Sequence, residues 1–210
     1  MGVGAVRAPP ADHADRGGPV TWLGDERSQL AAGRILDVAA ELFVERGVAS
    51  VGMGEIARAA GCSRATLYRY FADRGRLQMA FVQREAIRVG HLVAADVGRE
   101  VGVDAVTVGV LSALRHVRAA PTLEAWFRED DAVATAEIAQ SLLVIEALGL
   151  RLVADAEAAR WLVRVIVSLL TVPGRDEAHE RSLVERFVAP AVVAQAMTAP
   201  SSSSPSAGGG

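Results

Sequence analysis

The sequence predicts an all-α protein, and three observations carry that prediction. Between about positions 25 and 199 apolar residues recur at intervals of three and four, the spacing of one helix face. Alternating runs of Val, Ile, Thr and aromatic residues, which would mark strands, are absent. Ser, Asp and Gly stand where the periodic segments begin and end, as helix caps and stops require. The expected organisation is a flexible tail over 1–24, a compact three-helix unit over 25–73, a larger helical body over 74–199 and a disordered Ser/Pro/Gly tail over 200–210.

The first helix is anchored by Ile35, Val38, Ala39, Leu42 and Phe43, about four turns with Gly47 as the stop. A shorter second helix places Met53, Ile56, Ala57 and Ala60 on one face, and Gly52 and Glu55 have capping-box spacing, although Gly52 has no side chain to close the box. Ser63 is a good N-cap for a third helix through Leu67, Tyr70 and Phe71. Asp73 caps a long fourth helix carrying Leu77, Phe81, Ile87 and Leu92 inward. Further helices are expected at about 104–118, 122–128, 131–152, 156–172 and 177–197, the last kinked near Arg186 because Pro190 lacks a donor.

Composition bounds the function. Half the chain is apolar (51%), and 22 basic residues face 25 acidic ones for a net charge of −3, which excludes a disordered chain. The longest apolar stretch, Trp161 to Val172, is interrupted by Arg164 and Ser168 and is shorter than the roughly 20 residues a bilayer needs. No signal-peptide layout opens the sequence and the single Cys62 has no partner for a disulfide, so a cytoplasmic protein with no membrane partner is expected. Net acidity argues against nucleic acid until the charges are placed. There is no lysine, and from Arg58 to Arg76 five arginines meet one acid, a local +4, whereas 86–199 holds 11 arginines and 15 acids, or −4.

Two short helices joined by a glycine turn, the second opening on Ser, form a helix-turn-helix pattern. Ala57 lets the helices approach, Gly61 accommodates a positive φ, and Ile56 and Leu67 pack across the pair. Ser63, Arg64, Thr66, Tyr68 and Arg69 are then left facing outward as hydrogen-bonding groups, with arginine able to grip guanine O6 and N7 bidentately.

The stretch from Arg34 to Leu77, and above all EIARAAGCSRATLYRYF from Glu55 to Phe71, resembles the DNA-binding domain of the TetR family of bacterial transcriptional regulators. The resemblance implies a homodimer whose subunits pair three N-terminal helices for DNA with a larger helical domain for effector binding and dimerisation. It implies Arg64 as the leading base-reading residue with Thr66 and Arg69 beside it, and Ser63, Tyr68, Tyr70 and Arg74 on phosphates. Three positions depart from the family pattern: Gly52 replaces a capping Thr or Ser, Ala65 a frequent Gly, and Gly75 a common Glu.

Other motifs dissolve on inspection. Gly61-Cys62-Ser63-Arg64-Ala65 approximates a hydrolase nucleophile elbow, and Gly52 to Ala57 fits G-x-G-x-x-A, but each needs a preceding strand and here a helix precedes. The four histidines are too scattered for a metal site, so neither metal nor cofactor is expected, nor is an enzyme. Cys62 reads as a packing residue.

In the helical body Trp161 to Leu170 is apolar on nearly every face and a stripe follows on the last helix. Trp161, Val165, Leu169, Leu183, Phe187 and Ala191 are therefore the expected dimer interface, in line with what the resemblance implies. His91, His116, Trp126 and Phe127 are the candidate effector contacts, as polar or aromatic groups in a region that has few, and the effector expected is small and mainly apolar. The resulting reading is a ligand-responsive repressor bound to a double-stranded DNA operator. The alternative is a helical ligand-binding or partner-docking module whose helix-turn-helix is unused.

Overall fold

A computed structural model describes residues 22–128, 132–150 and 152–198. Among them every regular element is helical. The expected tails over 1–24 and 200–210 lie outside the described residues, except that helix α1 (Trp22–Arg46) already begins at Trp22. It is 25 residues long, not four turns.

Helices α2 (Met53–Ala59) and α3 (Arg64–Tyr70) follow, then the long α4 (Arg74–Val97). Ser63 Oγ accepts the Thr66 backbone N–H at 3.1 Å and Asp73 Oδ1 accepts that of Arg76 at 2.7 Å, so both expected side-chain caps form. At Gly52 the carbonyl alone receives the N–H groups of Glu55 and Ile56. No capping box closes, because the Glu55 carboxylate is paired with Arg46 of α1. Along α4 the buried apolar side chains are Leu77, Phe81, Val82, Ala86, Val89 and Val93, while Ile87 and Leu92 face outward. Ile87 and Leu92 fall off the row that begins at Leu77 and Phe81, and hydrophobicity without phase misplaced them.

The body comprises α5 (Gly102–Arg118), α6 (Pro121–Arg128), α7 (Ala132–Gln140), α8 (Leu142–Val144), α9 (Ala156–Thr171), α10 (Glu177–Leu183) and α11 (Ala189–Thr198). The helix expected over 131–152 is broken at Ser141, whose backbone is extended. Beyond the break α8 runs into a π-helical turn at Ile145–Gly149. A Cβ on Gly149 would lie 2.6 Å from the Ala159 carbonyl oxygen, so a glycine is what lets this turn press onto the α9 backbone. A second π-helical turn, Val184–Val188, joins α10 to α11 just ahead of Pro190. At the position of the expected kink the helix forms this wider turn, ahead of Pro190, which has no N–H to donate.

One apolar cluster runs through the molecule, from Ile35, Phe43 and Leu67 to Leu114, Leu162 and Val184. Helix α4 packs on α1 and also on α5 and α8, so it belongs to both expected domains. Helix α6 packs directly on α1.

Candidate nucleic-acid interface and the effector body

The helix-turn-helix is held from within. Ile56 and Leu67 are fully buried, Ala57 is 2% exposed, and the Cys62 N–H donates to the Ala57 carbonyl at 2.9 Å. Gly61 turns the chain with φ +66°, where a side chain would be strained. Cys62 is half-buried against the core.

Outside this frame, Ser63, Arg64, Tyr68 and Arg69 are exposed and Thr66 is half-buried. The Ser63 and Thr66 hydroxyls bond each other at 2.9 Å, fixing the first turn of α3. Tyr68 is 49% exposed. Tyr70 packs partly against the core and carries the Arg69 guanidinium over its ring at 5.4 Å. The Arg64 guanidinium lies over Gly54 of α2, where a Cβ would come within 2.8 Å of Nε. These groups form one basic surface.

Arg74 sits differently. Its Nη2 donates to the backbone carbonyls of Val48 and Ala49, at 2.5 and 2.7 Å, and its Nε is buried. The guanidinium thereby ties the start of α4 to the α1–α2 turn, a role the sequence did not suggest because the partners are 25 residues away or more. The phosphate contact expected of Arg74 would compete with these carbonyl bonds.

The body contains an apolar cavity of about 40 Å³ between α4, α5, α6, α7, α8, the Ile145–Gly149 turn and α9. Val89, Val117, Trp126, Phe127, Ile138 and Leu148 are among its lining residues. Of the four residues expected there, Trp126 and Phe127 line it and the two histidines do not. His91 is exposed, because Val89 and Val93 take the inward positions of α4. His116 Nε2 lies 2.7 Å from Asp96 Oδ2, an oxygen that Ser112 and Arg115 also reach, at 2.5 and 2.7 Å. The Ser112 hydroxyl first, then His116 and Arg115, hold the Asp96 carboxyl down at about 2.

Trp126 also touches α1 and α4. Its ring is stacked on Phe81 of α4, with centroids 6.0 Å apart and planes 10° apart, and meets Phe43 of α1 edge-on at 5.9 Å. Its buried Nε1 has no hydrogen-bond partner among the described residues.

On the far side Trp161, Val165 and Leu169 of α9 form a surface groove with Leu183 of α10 and Phe187 of the π turn. Trp161 is 51% exposed and Phe187 63%. Ala191 is exposed one turn further on. Beneath the groove's end, Arg118 holds Glu180 in a fork, with Nη1 and Nη2 each 2.8 Å from a carboxylate oxygen. Glu180 also accepts the Gly174 N–H, and Arg118 donates to the Leu169 carbonyl. The Arg118 hydrogen bonds lower the Glu180 pKa against the opposing effect of burial. No pattern in the sequence pointed to this pair, whose members are 62 residues apart.

Residues 35–77 match the family described as bacterial regulatory proteins, tetR family. Over 181 residues the chain is 44% identical to the uncharacterised HTH-type transcriptional regulator Rv1255c of Mycobacterium tuberculosis, covering 81% of this chain and 90% of that one. The chain belongs to the TetR family. Solved TetR-family structures share its fold. The repressor AlkX from Dietzia, implicated in biodegradation of n-alkanes, superposes with a TM-score of 0.58 at 24% identity, over 77% of this chain and 94% of that one. RolR in complex with resorcinol gives 0.57 at 20% identity, over 84% and 97%. As a TetR-family member the chain is a DNA-binding transcriptional regulator. Among the described residues no helix is long and apolar enough to cross a membrane, and no cluster of His, Cys, Asp or Glu could hold a metal.

Proposed function

We propose that this regulator is a cytoplasmic homodimeric repressor that leaves its operator when a small, mainly apolar molecule enters the helical body. The observation that carries the reading is the basic outer face of α3, where Arg64, Tyr68 and Arg69 stand exposed on a helix fixed by Ser63 and Thr66. In this reading Arg64 reads base edges, with Arg69 and Thr66 beside it, and Ser63, Tyr68 and Tyr70 meet phosphates. Two such helices reach successive major grooves only if a dimer sets them about 34–36 Å apart. The groove of Trp161, Val165, Leu169, Leu183 and Phe187 supports that dimer, because large apolar side chains rimmed by Arg164 and Ser168 form a patch that a second copy would cover.

The apolar lining supports an apolar effector. At about 40 Å³ the cavity is far smaller than the roughly 300 Å³ or more of ligand pockets, so a ligand must push its walls apart. Two walls lead to the DNA-binding helices: α4, which crosses both parts, and α6, whose Trp126 rests on Phe43 of α1. A ligand that prefers the widened body shifts the population away from the DNA-bound geometry by its differential affinity.

The test is selection of random duplex DNA by the purified protein, followed by sequencing and a reporter carrying the enriched site. A near-palindromic enriched sequence and a reporter silenced by the protein are expected. A pool without enrichment would leave a docking module, and an enriched site whose reporter is switched on would make the protein an activator.

A further inference from the structure

We propose that the effector is a neutral, apolar molecule with a single hydrogen-bond acceptor, and that Trp126 Nε1 donates to that acceptor. The inference rests on the ligand-responsive reading above and names the ligand class. Trp126 is 7% exposed and lies in the wall of the cavity. Among the described residues its buried indole N–H has no acceptor, whereas a buried indole ordinarily finds one.

The remaining lining is Val, Leu, Ile, Ala and Phe. A carboxylate or ammonium entering there would meet no counter-charge, and its desolvation would go uncompensated. A hydroxyl would bring a donor for which the lining has no acceptor side chain. A ketone, ester or ether oxygen brings an acceptor only, which matches one unpaired donor. Any such molecule must widen the cavity, and the proposal requires that this opening bring the Trp126 indole edge into its wall. The fixed stacking of the ring on Phe81 and against Phe43 limits the directions in which the N–H can point.

Three probes of equal length separate these chemistries: 2-octanone, octane and 2-octanol. Their affinities for the full-length protein are measured by titration, with nitrogen–proton NMR spectra recording the Trp126 indole signal, assigned by its loss in Trp126→Phe. The expected result is that 2-octanone binds about tenfold more tightly than octane, the worth of one hydrogen bond, and more tightly than 2-octanol. It should also move the Trp126 indole signal. Trp126→Phe should erase the preference over octane. If that variant does not fold, the wild-type affinity ratio decides alone. Equal binding of octane and 2-octanone, an unmoved indole signal in the ketone complex, or no binding of any probe up to its solubility limit would overturn the proposal. DNA selection on ligand-free protein keeps the two readings apart. A protein that enriches an operator yet ignores the ketone fails only here, and one that takes the ketone but selects no DNA fails as a regulator.

Discussion

Arg64 and Arg74 are both arginines near the start of a helix, and their surroundings differ: one is exposed and the other is bonded to two backbone carbonyls. Arg64 is exposed, with its guanidinium beside Gly54, which leaves its donors accessible to DNA. Arg64→Ala should cost about 1–3 kcal/mol of operator affinity and relax preference at one base position. Titrating the selected operator and a random duplex with both proteins checks this, and an unchanged ratio between them would remove Arg64 from base reading. Arg74 spends its guanidinium on two carbonyls, so Arg74→Ala should lower stability by about 1–2 kcal/mol, seen as a reduced Tm. A fully stable Arg74→Ala protein whose salt slope falls by about one would instead restore the phosphate role. The sequence marked both residues as basic and near the motif. It could not separate them, since Val48 and Ala49 come into reach only when α1 and α4 are packed.

At the scale of elements, the close approach of the Ile145–Gly149 turn to α9 depends on one absent side chain. Gly149→Ala would set a Cβ 2.6 Å from the Ala159 carbonyl, in backbone that cannot swing aside. A loss of about 1–3 kcal/mol is expected from denaturant unfolding, where an ordinary exposed helical glycine would gain stability on the same change.

Glu180 fixes α10 to α5 and to the end of α9, and its carboxyl is held below the ordinary value of 4.5 by Arg118. A depressed folded pKa means the contribution is complete above that value and is lost as pH falls through the folded pKa. Glu180→Gln should therefore lower stability at pH 7 by about 2–3 kcal/mol, seen as a reduced Tm, a moderate loss because Arg118 is partly exposed and water screens it. The gap from the wild type should narrow as pH falls below about 4. Melting curves at pH 7 and pH 3.5 measure it, and a constant gap would contradict the assignment.

For the whole molecule, the proposed dimer would decide how well a subunit holds DNA. Phe187→Arg places a charge in the middle of the apolar groove without touching the cavity or α3. It should yield monomers in sedimentation and weaken operator binding by at least about tenfold, since one helix in one groove loses the coupled second half-site. A dimeric Phe187→Arg protein would move the interface elsewhere.

The sequence alone determined the helical class, the caps at Ser63 and Asp73, the glycine turn at Gly61 and the residues that α3 presents, because each depends on neighbours within a few positions. Local physics of that kind is written in spacing and residue type. It also showed that the acidic chain carries a +4 segment, which the net charge conceals. What only the tertiary structure decided are the relations between distant segments: the Arg118–Glu180 fork, Arg74 on the α1–α2 turn, the outward phase of Ile87 and Leu92, His116 on Asp96 instead of in the cavity, and Trp126 joining the cavity to Phe43 and Phe81. These contacts exist only once the chain has paid the entropy of bringing remote residues together, and no local periodicity records which partners meet.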